Sequence, residues 1–237
     1  VGHAAIIEQG YGLSFREPLR ATREFVQVVR AVLSGERVTR HGDVFRVDAF
    51  QLESKPRHPV PIYLAALGPA MLRLAGEIAD GVILNWMPLA RLPWAIKRVH
   101  EGCRLAGRDP RAVKVVCYVR AGVTDDAGGG RAVLRRLVAA YAAMPSYARM
   151  FEEAGRRAAV ATARAAWEGG GIDAAATAIP DEFVRELGVA GTAEECCAVL
   201  QRYRTAGADV VAAYPFPIGE DPAASMRRTI EELARAW

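Results

Sequence analysis

The sequence has no long apolar run, few cysteines and no compact catalytic signature, and each absence excludes a class of function. No run approaches the roughly 18 apolar residues that a membrane-spanning helix needs. The four cysteines lack metal-site spacing, so we expect no metal and a reduced, cytoplasmic setting. The sequence also lacks the P-loop pattern, the zinc pattern His-Glu-x-x-His and the nucleophile elbow Gly-x-Ser-x-Gly.

The composition is that of a globular domain with a mild positive charge. The 237 residues are 51% hydrophobic and 24% charged, and the formal net charge is +4. Because no linker or short repeat interrupts the chain, we expect residues 1–237 to form a single domain. No Lys/Arg cluster with interleaved aromatics predicts nucleic-acid binding. The chain begins at Val1 without an initiator Met or a signal-peptide pattern, so we expect it to be part of a longer product.

Residues 61–86 carry the strongest structural pattern. An apolar run of strand length ends in small residues, Gly68-Pro69 opens a helix, Asp80-Gly81 closes it, and a second apolar run follows. This pattern predicts a β-α-β unit with parallel strands. The turn of Ala, Leu and Gly lets backbone amides approach a ligand, and the positive end of the helix dipole suits an anion such as a phosphate. A plain strand-to-helix turn is the alternative interpretation.

Strand and helix patterns alternate along most of the chain. Strands are predicted at 61–66, 82–86, 113–122 and 208–214, each followed by a helix. Such alternation predicts a parallel sheet that is buried on both faces. Two architectures fit the pattern: a (β/α)8 barrel that lacks its first three or four strands, and an open doubly wound sheet. The Ala-, Arg- and Gly-rich stretch 146–180 predicts short helices, within a helical insertion at about 146–190.

Short motifs between Gly2 and Asp126 resemble one enzyme family in their order and spacing. They include Gly42-Asp43-Val44-Phe45, Pro59-Val60-Pro61-Ile62-Tyr63, Ala66-Leu67-Gly68-Pro69 and Ala79-Asp80-Gly81. The segment is similar to the luciferase-like flavin and deazaflavin monooxygenases, and most similar to their F420-dependent branch. The resemblance implies a (β/α)8 barrel with coenzyme F420, or alternatively FMN, at the carboxyl ends of the strands. It also implies hydride transfer between that cofactor and a small organic substrate, and relatives often form homodimers.

The resemblance also implies roles for individual residues. His3 falls where some relatives place an acid or base. Asn85 and Trp86 end a strand on the substrate side, and Tyr214 near the end of another strand is a further substrate-binding candidate. Packing beneath the next helix is the alternative for Trp86. The residues expected to bind the cofactor are Val1, Gly2, Ala66, Leu67, Gly68, Pro69, Ala70 and Met71.

One departure from the family pattern bears on activity. The family's early strands, which carry part of the ring-binding floor, are not in this sequence, so we expect an incomplete cofactor site. Two alternatives therefore stand beside an F420-dependent oxidoreductase. One is an FMN-dependent monooxygenase of the same family. The other is a non-catalytic truncated barrel that binds only a phosphorylated ligand or a partner chain.

Overall fold

Helices and strands alternate through most of the chain. The structure is a computed structural model that describes residue 4 and residues 6–237. The strands are β1 (Val38–His41), β2 (Arg46–Phe50), β3 (Tyr63–Ala65), β4 (Gly81–Asn85), β5 (Lys114–Val123), β6 (Gly188–Gly191) and β7 (Val210–Pro215). The helices are α1 (Pro18–Leu33), α2 (Pro69–Ile78), α3 (Leu92–Leu105), α4 (Ala127–Ala142), α5 (Pro145–Phe151), α6 (Arg157–Thr177), α7 (Asp181–Leu187), α8 (Ala193–Thr205) and α9 (Pro222–Ala236).

The first of two compact units comprises Val1–Ile83 and Lys97–Lys114. In this unit β1 and β2 form an antiparallel hairpin, and α1 packs against α2 and β1. Strands β3 and β4 pair in parallel, with Tyr63 opposite Gly81, and α2 connects them. This arrangement confirms the β-α-β unit that the sequence predicts for residues 61–86.

Two glycines let α2 and α3 approach each other closely in the first unit. A Cβ atom on Gly76 would lie 2.0 Å from the carbonyl oxygen of Val99, and one on Gly102 would lie 1.9 Å from that of Arg73. Both contacts are with backbone, which cannot rotate away as a side chain can. Glycine at these positions therefore sets the separation of the two helices.

The second unit comprises Leu84–Ile96 and Val115–Trp237, with β5 at the centre of its sheet. Strand β5 pairs in parallel with β6 on one side and β7 on the other. Helix α4 packs on β6 and α6, and α8 packs on β6, β7 and α9. Buried apolar side chains from these elements form the core of the unit, among them Val119, Leu134, Val138, Phe151, Phe183, Leu187 and Leu200.

The four predicted strands are confirmed as β3, β4, β5 and β7, and a helix follows each of them, as expected. A capping box of Thr192 and Glu195 begins α8. Strand β6 was not predicted, because it has only four residues, three of them glycine or alanine, and follows α7 without a turn. In the 146–180 stretch, α6 is longer than the short helices expected, since its Ala-rich sequence favours helix. A break at Gly171, where φ is +70°, interrupts α6.

Candidate functional site

The start of α2, in the first unit, is built almost entirely from backbone. Gly68 is the N-cap residue, with an extended backbone at φ −81° and ψ 159°, and no side chain in the described part of the chain caps the helix. The first helical hydrogen bond runs from Leu72 N–H to Gly68 O at 3.0 Å. The amides of Ala70 and Met71 precede that bond and have no partner within the helix. They give this end of α2 a partial positive charge.

The same turn is open to a ligand and firmly held. Gly68, Pro69 and Ala70 are exposed, and a Cβ atom on Gly68 would meet no atom within 4 Å. Just before the turn, Ala66 N–H donates to Ile83 O of β4 at 3.2 Å. At the far end of α2, Arg108 donates to the carbonyl oxygens of residues 76 and 79, both at 2.7 Å. The helix is thereby fixed at both ends.

The second unit holds a buried cation near the carboxyl ends of its strands. Arg120 of β5 is only 5% exposed. Its Nη1 donates to Oδ1 of Asn85 at 3.0 Å, and the Tyr141 hydroxyl also hydrogen-bonds the guanidinium. Asn85 in turn donates through Nδ2 to the hydroxyl of Tyr147 at 2.7 Å. All the partners of the cation in this network are neutral.

Aromatic rings cover the guanidinium. The Arg120 Cζ atom lies 4.4 Å from the ring centre of Trp86 and 3.9 Å from that of Tyr214, distances typical of cation–π contacts. Tyr214 stands opposite Arg120 in the β5–β7 register, so both side chains project from the same face of the sheet. Trp86 is buried, whereas Tyr214 is 48% exposed. The cover on the Tyr214 side therefore borders solvent.

Trp86 combines two unfavourable features. Its φ is +55°, in the left-handed region that non-glycine residues seldom adopt. Its indole nitrogen is buried without a hydrogen-bond partner among the residues that the structure describes. Strained backbone and unsatisfied buried donors are concentrated at functional sites in proteins. Trp86 also packs on Tyr141, with ring centres 4.9 Å apart, and this contact holds its side chain in place.

Burial controls the electrostatics of this cluster. Removal from water lowers the pKa of Arg120, and no carboxylate forms an ion pair with it in the described part of the chain. Burial also raises the pKa of Tyr147, and the hydrogen bond from Asn85 partly opposes that shift. A buried cation without a counter-ion is unusual, because desolvating a charge is costly unless an opposite charge compensates it.

A cavity of about 540 Å³ in the second unit is less suited to an anion than the start of α2 or the Arg120 cluster. It lies between the starts of α4 and α9 and is lined by Thr124, Asp126, Ser225 and Arg228, among others. Both helix starts are already capped, since Asp126 accepts from Gly129 N–H and Asp221 from Ala224 N–H. Arg228 is paired with Asp125 and Glu232. Among the described residues that line this cavity, we find no unpaired cation and no uncapped helix start for an anion.

The structure brings together all three residues predicted for the substrate side. Asn85, Trp86 and Tyr214 all contact Arg120. The predicted cofactor-binding residues Ala66, Leu67, Gly68, Pro69, Ala70 and Met71 form the turn and first helical residues at α2. Val1, Gly2 and His3, predicted as cofactor-binding and catalytic residues, lie outside the described residues.

Sequence reasoning missed the centre of the second cluster. Arg120, Tyr141 and Tyr147 were not among the predicted site residues. A signal for Arg120 was available: it is the only charged residue between Lys114 and the end of an apolar strand run at Val123. Tyr141 and Tyr147 carry no such signal, because they come from α4 and α5 and meet Arg120 only in the folded unit.

A metal-binding cluster and a membrane-spanning helix are both absent from the part of the chain that the structure describes. No group of three or more His, Cys, Asp or Glu side chains is placed to hold a metal ion. Among the described helices, none is both long and apolar enough to cross a membrane.

Sequence comparisons place this chain beside known proteins. The family model described as luciferase-like monooxygenase matches residues 1–210. A 5,10-methylenetetrahydromethanopterin reductase of Methanolobus tindarius is 37% identical over 128 residues, 54% of this chain and 39% of that protein. An F420-dependent glucose-6-phosphate dehydrogenase of Nakamurella multipartita is 37% identical over 95 residues, 39% of this chain and 28% of that protein.

A structural comparison identifies the fold. The coenzyme F420 dependent tetrahydromethanopterin reductase from Methanopyrus kandleri matches with a TM-score of 0.78 at 23% identity, covering 92% of this chain and 63% of that one. The fold is therefore α/β of the TIM-barrel type, of which this chain holds a part, and the alternative of an open doubly wound sheet is set aside. The chain spans less than two thirds of the length of each of these three proteins.

Proposed function

The chain belongs to the luciferase-like monooxygenase family, and on that premise we propose that it is part of an F420-dependent oxidoreductase. The proposed reaction is hydride transfer between the deazaflavin and a small organic substrate. The observation that carries the proposal is the family match over residues 1–210. The F420-dependent relatives favour F420 as the cofactor, with FMN as the alternative within the family.

The start of α2 fits the anionic tail of such a cofactor. Its residues offer amides without helical partners, no side chain of the described residues caps it, and the space at Gly68 is open. Residues 66–71 would contact the phosphate of the tail, with the N–H groups of Ala70 and Met71 as donors. Pro69 has no N–H, and that of Ala66 already donates to Ile83 O. Because backbone amides carry no sequence-specific chemistry, what matters at this turn is the absence of bulk and of negative charge.

The remaining roles belong to the chain's own side chains. F420, when bound, supplies the carbon centre that accepts or donates hydride. Asn85, Trp86 and Tyr214 would form one wall of the substrate pocket, and their shared contact with Arg120 supports that grouping. His3 would move a proton, and Val1 and Gly2 would contact the cofactor, as the family resemblance implies.

The proposal also includes a cytoplasmic setting and a homodimer. The four cysteines are free thiols, as a reducing compartment requires, and this supports the first point. Light scattering coupled to size-exclusion chromatography tests the second, since a dimer has twice the 25.6 kDa mass of the chain.

Fluorescence titration of the purified chain with F420, and separately with FMN, tests the function. We expect F420 to bind. We expect Gly68→Asp to weaken that binding by about tenfold, because a carboxylate placed at the helix start repels the phosphate and occupies its amides. Gly68→Ala is the matched control: its Cβ meets no atom, so affinity should stay within about twofold of the unaltered chain.

Each other outcome has a definite meaning. Tighter binding of FMN than of F420 would favour the flavin-dependent alternative. A chain with native circular dichroism that binds neither cofactor would contradict the proposal and favour the non-catalytic truncated barrel. If Gly68→Asp and Gly68→Ala bound F420 equally well, residues 66–71 would not be the site of the cofactor tail.

A further inference from the structure

We propose that Arg120 is the anchor for an oxyanion, a carboxylate or a phosphate, carried by the organic substrate. That the anion belongs to a substrate rests on the proposed function. The site itself rests only on contacts within the second unit. It assigns a specificity-determining role to a residue that sequence reasoning did not select.

Arg120 is buried without a counter-ion among the described residues. A guanidinium has five N–H donors, and the described residues give it the amide oxygen of Asn85 and the hydroxyl of Tyr141. Both partners are neutral, and the group is only 5% exposed. Other arginines of this unit have acidic partners, as Arg156 has in Glu186 and Arg228 has in Asp125. Arg120 is buried more deeply than either, yet it lacks such a partner in the described part of the chain.

The neighbours of Arg120 hold its guanidinium in a fixed orientation. Trp86 and Tyr214 contact the guanidinium through their rings, so they hold its plane while leaving donors at its edge. The planar fork matches the two oxygens of a carboxylate or phosphate. Asn85 fixes one end of the fork and is itself fixed by Tyr147. The cation is therefore held in one orientation before any ligand arrives, which lowers the entropy lost on binding.

The Arg120 site lies beside solvent and contains a second donor without a described partner. Tyr214 covers one side of the guanidinium and is 48% exposed, so the site borders solvent on that side. The indole N–H of Trp86 is a second buried donor without a described partner, next to the same guanidinium. A cation and an unsatisfied N–H beside each other match an incoming group that only accepts hydrogen bonds, as an oxyanion does.

One amide-to-acid substitution at Asn85 would give Arg120 a carboxylate partner from the chain itself. Asn85→Asp places a carboxylate where the Asn85 amide oxygen now lies, 3.0 Å from Nη1 of Arg120. The Tyr147 hydroxyl, which now accepts from Asn85, can donate to that carboxylate instead. The variant should fold, should unfold at a higher temperature than the unaltered chain, and should no longer need an external anion.

The experiment uses the chain without F420 in a low-salt buffer free of carboxylate and phosphate. Calorimetric titrations with benzoate, phenyl phosphate and the neutral benzamide give the affinities. We expect benzoate or phenyl phosphate to bind the unaltered chain at least about tenfold more tightly than benzamide. Whichever anion is preferred identifies the oxyanion. Asn85→Asp and Arg120→Met should each lower that affinity by at least about tenfold.

Three results would overturn the inference: equal affinity for benzoate and benzamide with no preference for phenyl phosphate, unchanged anion affinity in Asn85→Asp, or unchanged anion affinity in Arg120→Met. Separate F420 titrations keep the two proposals apart. F420 binding without selective anion binding contradicts the anchor and leaves the proposed function standing. Selective anion binding without F420 binding contradicts the proposed function and leaves the anion site standing. The site would then serve a ligand other than an F420-dependent substrate.

Discussion

The two candidate sites differ in what they are made of. The start of α2 is made of backbone, with glycine, proline and alanine that keep side chains away from the amides. The cluster at Arg120 is made of side chains, contributed by β4, β5, β7 and the α4–α5 region. The first owes its charge to a helix dipole, and the second to a desolvated guanidinium.

This difference predicts different tolerance to substitution. A backbone site keeps its function as long as no added atom blocks the amides, so most losses there come from bulk or charge. A side-chain site fails when any one of its polar partners is removed, because a buried donor or acceptor is then left unpaired. Four changes, ordered by the size of the expected effect, test this contrast.

The largest loss of stability is expected from a methyl group added to the buried face of α2. Gly76→Ala places a Cβ 2.0 Å from the Val99 carbonyl oxygen, so α2 and α3 must move apart. Alanine in a helix interior normally gains about 1 kcal/mol over glycine. Here we expect a loss of about 2 kcal/mol or more in the free energy of unfolding, measured by urea denaturation.

Gly68→Ala is the matched control, because the same methyl group at φ −81° meets no atom within 4 Å. Its free energy of unfolding should stay within about 0.5 kcal/mol of the unaltered chain. If both variants lost similar stability, the open start of α2 would be as closely packed as its buried face, and the contrast drawn for the first unit would fail.

The backbone site was predictable from the sequence, and the side-chain site was not. Gly68-Pro69 after an apolar run is a local signal, so the turn and helix could be placed from neighbouring residues alone. Arg120, Tyr141 and Tyr147 meet through tertiary contacts, which no short-range pattern encodes. Strand β6 escaped for a related reason: Gly188–Gly191 have weak strand propensity and form a strand because β5 offers a partner.

The second test is chemical and compares the two faces of β5. Cys117 lies on the face opposite Tyr118 and Arg120, and burial raises the pKa of its thiol to about 12. Because the folded-state pKa is raised, the stability from this group is complete below the ordinary pKa of 9.0 and is lost as the pH rises towards about 12. At pH 10 the loss should be about 1.4 kcal/mol.

Urea denaturation at pH 8 and pH 10 under reducing conditions measures this loss. Cys117→Val keeps the volume and removes the titration, so its decline between the two pH values should be smaller by about 1.4 kcal/mol. Cys197 lies at a half-buried helix position, so Cys197→Val should reduce the decline in unfolding free energy by less than Cys117→Val does. Equal declines for the unaltered chain and Cys117→Val would mean that the apolar face of β5 admits hydroxide as readily as the unfolded chain does.

The third test removes one polar atom from the side-chain site. Tyr147→Phe deletes the hydroxyl that accepts from Asn85 Nδ2 at 2.7 Å. The amide of Asn85 then loses a partner in a part-buried position, and we expect a loss of about 1 kcal/mol in unfolding free energy. Tyr118→Phe, on the neighbouring half-buried tyrosine of β5, should change it by less than about 0.5 kcal/mol. Equal effects would mean that the network around Asn85 contributes no more than ordinary surface polarity.

The smallest effect is expected at a second group of backbone amides, which already binds a carboxylate of the chain. In the first unit the carboxylate of Glu24 accepts from the backbone N–H groups of Asp43, Val44 and Phe45 at 2.9–3.2 Å. The hydrogen bond from Val44 is the largest cause that lowers the pKa of Glu24. This short loop shows, with a carboxylate of the chain itself, that consecutive amides here bind an anion.

Because the pKa of Glu24 is lowered on folding, its contribution is present above the ordinary value of 4.5 and is lost as the pH falls through the folded-state pKa. Glu24→Gln should therefore speed amide hydrogen exchange at residues 43–45 at pH 7, and the difference from the unaltered chain should shrink in acid. Glu36→Gln, an exposed acid outside this contact, is the control and should leave those amides unchanged. If Glu24→Gln also left them unchanged, amide–carboxylate contacts in this unit would contribute little. The expected capture of a phosphate by the amides at α2 would then need a further source of affinity, such as side chains beyond residues 66–71.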